Sequence, residues 1–371
     1  MPEPGHRPPA GKGGELIVLR RFLLRFCISV ALAVGLLVAG ECGAYYLNRH
    51  RGGGADKYGY RAYVVWQVVR PQSNIITLDV DGLRRTVYSQ CDADAYTVWM
   101  LGGSGLWGHY NPDAETIPSL MAKRFQDEGR KICVKNYGQR GWASTQELIE
   151  LMLELKRAPK KPDLVIFYDG TVEAFLPLDS DMPDVHLEYS TVKAKFEGPS
   201  AENAGFQYLR TSNTYLLLQW IAARLDLNDP DNTRVISDEQ AAAMARYTLT
   251  NYSRNMEMVD ALAARFGFQY AFFWEPWLGI AGKSLTSHEV SVKDGERKHN
   301  PGGAKVMAAT YELFRSASRH HLFYLGDVFN NRRQTLFVDG THPTGEGNQI
   351  ITDKIFQTIQ QQIQSSSSAR R

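Results

Sequence analysis

The clearest strand-to-turn pattern in the chain is Tyr96-Thr97-Val98-Trp99-Met100-Leu101-Gly102-Gly103-Ser104-Gly105. The aromatic and apolar run Tyr96–Leu101 predicts a short buried strand. The two glycines then let the backbone turn sharply and expose the side chain of Ser104. This is a position that suits a nucleophile, although a turn serine that caps a helix is the alternative. Because Leu106 stands two residues after the serine, the segment is not the G-x-S-x-G elbow.

Three other apolar runs also end at polar or turn-forming residues, namely Ile132–Asn136, Leu164–Tyr168 and Tyr270–Trp274. The stretches between them read as helices: Ala114–Gln126, Ser144–Lys156 and Asp238–Phe266. Short buried strands that alternate with helices predict an α/β fold with a parallel sheet covered on both faces. In such sheets, ligands bind at the carboxyl ends of the strands, which is where Ser104 lies.

A second candidate segment lies 238 residues after Ser104 and reads Phe337-Val338-Asp339-Gly340-Thr341-His342-Pro343. The spacing lets the carboxylate of Asp339 hold one ring nitrogen of His342 while the other nitrogen faces a hydroxyl. A serine nucleophile needs such a base and such an orienting acid. An isolated D-x-x-H also fits a surface turn or half of a metal site. Paired with a serine at another strand end, it favours a catalytic triad.

Four blocks in this order resemble those of the SGNH (GDSL-type) hydrolases, and the chain looks most like a membrane-anchored bacterial branch. The resemblance covers most of residues 96–356. The blocks are Gly102-Gly103-Ser104, Asn136-Tyr137-Gly138-Gln139-Arg140-Gly141, Tyr168-Asp169-Gly170 and Asp339-Gly340-Thr341-His342. The resemblance implies a three-layer α/β/α, flavodoxin-like fold with a central parallel sheet, preceded by an N-terminal transmembrane helix.

The resemblance also implies roles for the site residues. Ser104 is then the nucleophile, His342 the base and Asp339 its orienter. The backbone N–H groups of Ser104 and Gly141 are two donors of the oxyanion hole. A triad of this kind needs no metal ion and no organic cofactor.

The third block departs from the family pattern. Where that block usually continues Gly-x-Asn-Asp, this chain has Gly170-Thr171-Val172-Glu173. Val172 has no side-chain donor, and losing one oxyanion donor typically costs about 10²–10³ in rate. We therefore expect a slower enzyme, in which the hydroxyl of Thr171 is a candidate substitute. The alternative is a fold kept for binding after hydrolysis has decayed.

The amino terminus predicts export from the cytoplasm. The run Phe26–Leu47 carries one charge, Glu41, and follows Arg20, Arg21 and Arg25. This pattern favours a single membrane span with a cytosolic basic flank, and a cleaved signal peptide is the alternative. We expect a single-pass protein of the bacterial inner membrane with its catalytic domain in the periplasm or outside the cell.

Charge and cysteine content exclude other classes of protein. The 371 residues include 42 Lys and Arg against 40 Asp and Glu, and residues 1–25 hold five of the basic residues against two acidic ones. The rest of the chain thus has no basic excess, which argues against nucleic acid as a partner. The four cysteines form no C-x-x-C pair, so a structural zinc site is unsupported. Cys91 and Cys133 are candidates for a disulfide in an oxidising compartment, with inert buried thiols as the alternative.

The predicted organisation has five parts. Residues 1–21 form a cytosolic tail, and residues 22–47 form the anchor or signal. Residues 48–95 hold a linker and a β-hairpin in which Tyr63–Trp66 and Asn74–Val80 flank the turn Asp81-Gly82. Residues 96–364 form the hydrolase-like domain, with an insertion at about 176–235, and residues 365–371 form a disordered polar tail.

These expectations favour a serine ester hydrolase of the cell envelope that removes O-acyl groups from a carbohydrate or a small ester. A non-catalytic glycan-binding or assembly protein and an acyltransferase with the same acyl-enzyme are the open alternatives. Aromatic residues near the predicted strand ends are interpreted mainly as packing, with a sugar-stacking platform as the other interpretation: Trp107, Trp142, Phe175, Trp274 and Trp277.

Overall fold

The computed structural model describes residues 13–50, 56–71, 73–180, 182, 184–197, 212–224, 235–280 and 282–369. The chain divides into two compact units. One unit comprises Met1–Gly54 and Pro199–Asn228, and the other comprises Ala55–Gly198 and Asp229–Arg371. Residues 1–12 of the predicted cytosolic tail and the glycines of the predicted linker lie outside the described residues.

The described strands, in chain order, are β1 (Lys57–Arg61), β2 (Val65–Arg70), β3 (Tyr96–Gly102), β4 (Ile132–Asn136), β5 (Leu164–Asp169), β6 (Gln269–Trp274) and β7 (Leu322–Tyr324). The last five form one parallel sheet in the order β4-β3-β5-β6-β7. The prediction of an α/β fold with a central parallel sheet is confirmed. Strands β3 and β5 lie inside this sheet and carry the first and third sequence blocks at their carboxyl ends.

The described helices, in chain order, are α1 (Gly13–His50), α2 (Ser104–Trp107), α3 (Ile117–Asp127), α4 (Ser144–Arg157), α5 (Thr171–Ser180), α6 (Tyr189–Glu197), α7 (Asn213–Arg224), α8 (Asp238–Phe266), α9 (Ser287–His299), α10 (Pro301–Ser316) and α11 (Gly345–Ala369). Two 3₁₀ turns, Asp113–Glu115 and Leu278–Ile280, complete the set.

Alternation along β3 explains the three layers. Val98 and Met100 pack into one core with residues of α3 and α11. Trp99 and Leu101 point the other way and pack with residues of α4, α8 and α10. Because successive strand residues face opposite sides, a strand that is apolar throughout is covered by helices on both faces.

The first unit contains α1 and α7. Within α1, residues 20–47 are long and apolar enough to cross a membrane, judged by length and composition. The carboxylate of Glu41 accepts hydrogen bonds from the backbone N–H groups of Asn213 at 2.5 Å and Thr214 at 3.0 Å. These groups begin α7 and have no acceptor inside that helix. The single charge of the predicted span therefore caps a neighbouring helix.

The hairpin in residues 48–95 pairs different segments from those predicted. Strands β1 and β2 pair with each other in antiparallel register. Around the predicted turn, the described residues form an isolated bridge between Leu78 and Arg84. The carboxylate of Asp79 accepts the N–H groups of Asp81 and Leu83, both at 2.9 Å. Its side chain thus closes a local turn without an extended ladder.

Several elements were not predicted from sequence, among them β7, α9 and α10. β7 has three residues, which is too short to give a periodic pattern. α9 is largely polar and begins directly after its capping residue Thr286, whose side chain accepts the N–H of Glu289. α10 begins at Pro301, directly after its capping residue Asn300. Local capping chemistry therefore marks these two helices better than their hydrophobic pattern does.

The predicted insertion and tail are partly described. Within residues 176–235 the described segments include the end of α5, α6 and α7, while residues 181, 183, 198–211 and 225–234 lie outside the described residues. At the carboxyl terminus, α11 continues to Ala369.

Cys91 and Cys133 form a disulfide. Cys133 is the second residue of β4, so the disulfide lies at the amino ends of the strands, away from the edge where β3 presents Ser104. Of the two interpretations of these cysteines, the structure has the paired one. The bond closes a loop across the beginning of the sheet.

Candidate active site

Ser104 is the first residue of α2 and directly follows the turn after β3. At Gly102, a Cβ atom would lie 2.5 Å from the carbonyl oxygen of Tyr168 and 2.8 Å from the Cβ of Leu106. A larger residue would therefore force the two strands apart, which explains the glycine. As the first residue of a helix, Ser104 has a backbone N–H with no intrahelical acceptor. The turn thus presents a hydroxyl and an N–H together.

Arg84 braces the segment that follows Ser104. Its side chain is fully buried and donates three hydrogen bonds to backbone carbonyl oxygens, the shortest to Asn111 at 2.7 Å. Its Nε pairs with Asp113 at 2.8 Å. Asn111 in turn donates to the carbonyl oxygen of Pro343 at 3.0 Å. Each of the three nitrogen atoms of the buried guanidinium therefore has a hydrogen-bond acceptor. Asn111 links the segment that follows Ser104 to the segment that contains His342.

Asp339 and His342 lie in a tight turn that a bridge between Phe337 and Pro343 closes. The carboxylate of Asp339 accepts the backbone N–H groups of Thr341 at 2.9 Å and His342 at 2.8 Å. These two bonds fix the carboxylate within its own turn. The histidine ring then has one partner that cannot easily move away.

The three predicted triad residues form a continuous hydrogen-bonded chain. Nε2 of His342 lies 2.7 Å from Oγ of Ser104. Nδ1 of the same ring lies 2.7 Å from Oδ2 and 2.9 Å from Oδ1 of Asp339. The geometry matches a serine hydroxyl that donates to a neutral imidazole, which donates to a carboxylate.

Asp339 is held in its charged form. Burial raises the pKa of this carboxyl, but hydrogen bonding to His342, the charge of that ring and the two backbone N–H groups outweigh burial. The pKa of Asp339 is therefore well below its ordinary value. A charged carboxylate at this place would stabilise an imidazolium at His342.

Two further aromatic rings pack on His342. The ring centroids of His109 and Tyr110 lie 4.8 Å and 5.6 Å from that of His342. Burial, followed by the charge of His342, lowers the pKa of His109 to about 4. Burial and a hydrogen bond to Asp339 raise the pKa of Tyr110. Both neighbours are thus neutral at pH 7 and do not repel an imidazolium on His342.

Gly141 lies in the loop between β4 and α4 with a φ of 74°, a conformation that favours glycine. The β1–β2 hairpin holds this loop. Nε1 of Trp66 donates to the carbonyl oxygen of Arg140 at 2.9 Å, and Nε1 of Trp142 donates to the carbonyl oxygen of Trp66 at 2.9 Å. Two more hydrogen bonds join the same segments. The hairpin, placed by sequence outside the hydrolase-like domain, is therefore part of its site.

The third block places Val172 beside the nucleophile turn. A Cβ atom on Gly103 would lie 3.6 Å from Cγ2 of Val172. Thr171 donates both its N–H, at 2.8 Å, and its hydroxyl to Glu275. The hydroxyl considered as a substitute donor is therefore already bound. Burial raises the pKa of Glu275, although these bonds from Thr171 act against the increase.

A group of buried carboxyls lies behind the third block: Glu147, Asp169, Glu173 and Glu275. Glu173 accepts the N–H groups of Ser144 at 2.6 Å and Gly170 at 3.1 Å. Burial raises the pKa of Asp169 to about 7 and that of Glu173 to about 8. Burial and the nearby Asp169 also raise the pKa of Glu147 well above its ordinary value. Among the described residues, no group of three or more His, Cys, Asp or Glu side chains is arranged to hold a metal ion.

A cavity of about 790 Å³ opens beside the triad, and Ser104, Gly141 and His342 all line it. The structure therefore brings the predicted nucleophile, base and oxyanion glycine to one cavity, with Asp339 behind the base. The aromatic residues considered for a sugar platform lie elsewhere among the described residues. Four of them are buried in the core, namely Trp107, Trp142, Trp274 and Trp277.

No family model matches this chain, and no curated protein matches it either. Among solved structures, the chain is similar to a lipolytic protein of the G-D-S-L family from Veillonella parvula, at 11% identity and a TM-score of 0.38 over 70% of this chain and 96% of that one.

Two other solved structures show a similar degree of likeness. The psychrotrophic esterase EstA from Pseudoalteromonas sp. has 11% identity and a TM-score of 0.36 over 72% of this chain and 99% of that one. A carbohydrate acetylesterase family member from Sinorhizobium meliloti has 13% identity and a TM-score of 0.37 over 71% and 97%. At this distance the likeness says nothing about the activity of this chain.

Sequence reasoning did not find several residues that shape the site. His109 and Tyr110 follow the serine by five and six residues, and this short distance from a candidate nucleophile was an available signal. Arg84 carries no local signal, because its partners lie more than twenty residues away along the chain. Trp66 belonged to a predicted strand, but nothing local indicates its bond to the loop of Gly141.

Proposed function

We propose that this protein is a serine ester hydrolase of the cell envelope that removes O-acyl groups from a carbohydrate or a small ester. The observation that carries the proposal is the 2.7 Å separation of Ser104 Oγ and His342 Nε2, with Asp339 on the other ring nitrogen. The coarser statement, an α/β scaffold with a central parallel sheet and an apolar N-terminal helix, rests on the fold itself.

The reaction follows from the hydrogen-bonded chain. Oγ of Ser104 attacks the acyl carbonyl carbon while Nε2 of His342 takes the hydroxyl proton. The negative charge that develops on the carbonyl oxygen faces the N–H groups of Ser104 and Gly141. His342 then gives its proton to the leaving alcohol, and an acyl-enzyme remains. Water, activated by His342, releases the acid and restores Ser104.

The place of action is proposed from the amino terminus. Residues 20–47 of α1 suit a membrane anchor or a signal segment, and the basic residues before them favour a cytosolic flank. We place the catalytic unit on the periplasmic or outer side of a bacterial inner membrane. Acylated envelope carbohydrates and small esters are the substrates available there.

Val172 favours a second candidate function. A valine at this position removes a side-chain donor from the region that holds the oxyanion, which fits a glycan-binding or assembly protein that no longer hydrolyses esters. An acyltransferase is chemically close to the first proposal, because a carbohydrate hydroxyl replaces water in the second half of the same reaction.

Labelling with a fluorescent fluorophosphonate tests the proposal directly. The full chain in detergent micelles is expected to take up the label and to hydrolyse p-nitrophenyl acetate, and Ser104→Ala is expected to lose both. Ser316→Ala, which changes a serine on α10 outside the site, serves as the control. If the wild-type protein takes up no label but still binds a glycan, the proposed hydrolase is wrong and the glycan-binding protein is the better interpretation. Product analysis with and without a sugar acceptor separates hydrolysis from transfer.

A further inference from the structure

The cavity beside the triad has an apolar wall built from two elements outside the four sequence blocks. The β1–β2 hairpin supplies Tyr58, Val65 and Trp66, and α6 with the residues before it supplies Leu187, Val192 and Phe196. We call these six residues the apolar groove. The cavity that this groove lines has a volume of about 790 Å³, which is in the usual range for small-molecule sites.

The groove begins directly at the oxyanion loop. A Cβ atom on Gly141 would lie 3.4 Å from Cδ1 of Leu187 and 3.6 Å from Cζ2 of Trp66. A carbonyl group held by the N–H of Gly141 is therefore followed immediately by hydrocarbon walls. The part of a substrate attached to that carbonyl lies against Leu187 and Trp66.

Two of the polar groups near the groove are already engaged, and the cavity is also lined by Tyr60, Glu188 and Thr191. Arg140 forms an ion pair with Asp56, and Nε1 of Trp66 donates to a backbone carbonyl oxygen. Valine, leucine and phenylalanine side chains offer no hydrogen bonds. Sugar hydroxyl groups placed against these hydrocarbon side chains would have no partners there, which is costly. A hydrocarbon chain has no such cost and gains from leaving water.

Two further features point to a ligand site. Val65 has a φ of 74°, which β-branched residues rarely adopt, and strain of this kind collects at ligand-binding sites. Phe196 is 85% exposed although it lines the groove. A large aromatic ring exposed at the mouth of an apolar cavity is typical of a binding surface that its ligand covers.

We infer that the apolar groove binds the acyl chain of the ester, and that the preferred substrates carry a medium-length acyl chain in place of an acetyl group. This inference rests on the proposed hydrolase, because it assigns the acyl side of the bond to the groove. The alcohol side then leaves towards solvent, and its chemistry is not selected by this wall.

The first test compares p-nitrophenyl acetate, butyrate and octanoate as substrates of the full chain in lipid nanodiscs. A fully buried methylene is worth about fourfold in kcat/KM, so an open groove is expected to favour octanoate over acetate by about tenfold or more. Phe196→Asp is expected to reduce this ratio about tenfold, and its exposed position leaves folding little affected. Phe266→Asp, the same change at the end of α8 outside the groove, is expected to keep the wild-type ratio. An enzyme that hydrolyses acetate at least as well as octanoate would overturn the groove assignment and leave the hydrolase intact.

A binding measurement keeps the inference testable if no ester is hydrolysed. Saturation-transfer difference NMR on the Ser104→Ala chain, in nanodiscs of deuterated lipid, is expected to show transfer to the methyl group of sodium octanoate. The double variant Ser104→Ala/Phe196→Asp is expected to lose at least half of this signal, whereas Ser104→Ala/Phe266→Asp keeps it. Equal signals in all three proteins would reject the groove as an acyl site, whatever the hydrolase assays show.

Discussion

The site has two halves that differ in how completely they are built. The relay half, made of Ser104, Asp339 and His342, has each polar atom in its proton path within 2.9 Å of the next. The carbonyl half, made of Gly141 and Val172, offers an N–H from the first residue and no donor from the second side chain. The buried cation of Arg84 braces the segment that follows Ser104. Buried carboxyls instead lie next to the third block, which contains Val172.

The contrast separates proton transfer from charge stabilisation. Proton transfer requires three groups in contact, and all three are in contact here. Stabilising an oxyanion would depend on the number of donors aimed at one point, and Val172 has no side-chain donor where the family pattern has asparagine. We therefore expect a nucleophile that forms readily and a transition state that is stabilised less well.

The largest expected effect is on the relay half. Asp339→Asn keeps the size of the side chain but removes the charge that fixes the imidazole tautomer, so kcat for p-nitrophenyl ester hydrolysis is expected to fall about 10⁴-fold. Asp81→Asn, an exposed change outside the site, is the control in the same assay. A loss of less than tenfold would mean that the carboxylate of Asp339 does not orient the base.

The next effect concerns the support of the relay half. Arg84→Met leaves Asp113 and three carbonyl oxygens without their buried partner, and we expect a loss of about 3 kcal/mol in the free energy of unfolding. Urea unfolding followed by circular dichroism measures this loss. Arg315→Met removes two exposed ion pairs, with Glu312 and Asp327, and is expected to cost about 1 kcal/mol or less. Similar losses in the two variants would contradict the bracing role of Arg84.

The carbonyl half is tested by restoring the family residue. Val172→Asn adds a side-chain donor next to the nucleophile turn, and kcat is expected to rise by about 10²-fold. Val172→Leu has a similar size without a donor and is expected to stay near the wild-type rate. If both variants leave kcat unchanged, the side chain at 172 does not face the oxyanion.

The smallest effect concerns the carboxyls behind the carbonyl half. The pKa of Asp169 is raised to about 7 by burial, in a site that Glu147, Glu173, Glu275 and Tyr252 also face. The unfolded chain releases this proton near pH 4. Between pH 4 and 7 the folded chain therefore holds a proton that the unfolded chain has lost, and stability falls as the pH rises.

The Asp169→Asn variant has no carboxyl at this position and therefore no proton that titrates in this window. We expect the free energy of unfolding of this variant to fall less between pH 5 and 7 than that of the wild type, by an amount on the order of 1 kcal/mol. Its melting temperature should therefore also change less over this range. Scanning calorimetry at several pH values measures the slopes. Asp127→Asn, an exposed change on α3, should retain the wild-type slope, and an unchanged slope in Asp169→Asn would show that this carboxyl does not titrate in that window.

The two halves also differ in how far the sequence predicts them. Strand β3, which leads to Ser104, and strand β5, which ends at Asp169, are buried runs. Their apolar composition is enough to predict them. The turn of Asp339 and His342 is encoded within four residues. Local sequence thus carries the relay half and the sheet beneath it.

The supports of the site escape such prediction for a physical reason. The hydrogen bonds of Arg84, and those between Trp66 and the loop of Gly141, join segments far apart in the chain. No periodicity reports a bond of this kind, because each partner looks like an ordinary surface arginine or strand tryptophan. The hairpin was therefore predicted as a linker feature, whereas the structure makes it a wall of the cavity.

The hydrogen bond between Ser104 and His342 also bears on the stage of synthesis at which the serine can acquire a proton acceptor. In the proposed hydrolase, a ribosome adds the base, His342, 238 residues after the nucleophile, Ser104. Until that moment the nascent serine has no proton acceptor and is an ordinary alcohol. In the proposed hydrolase, a chain that ends before His342 would therefore lack an activated serine.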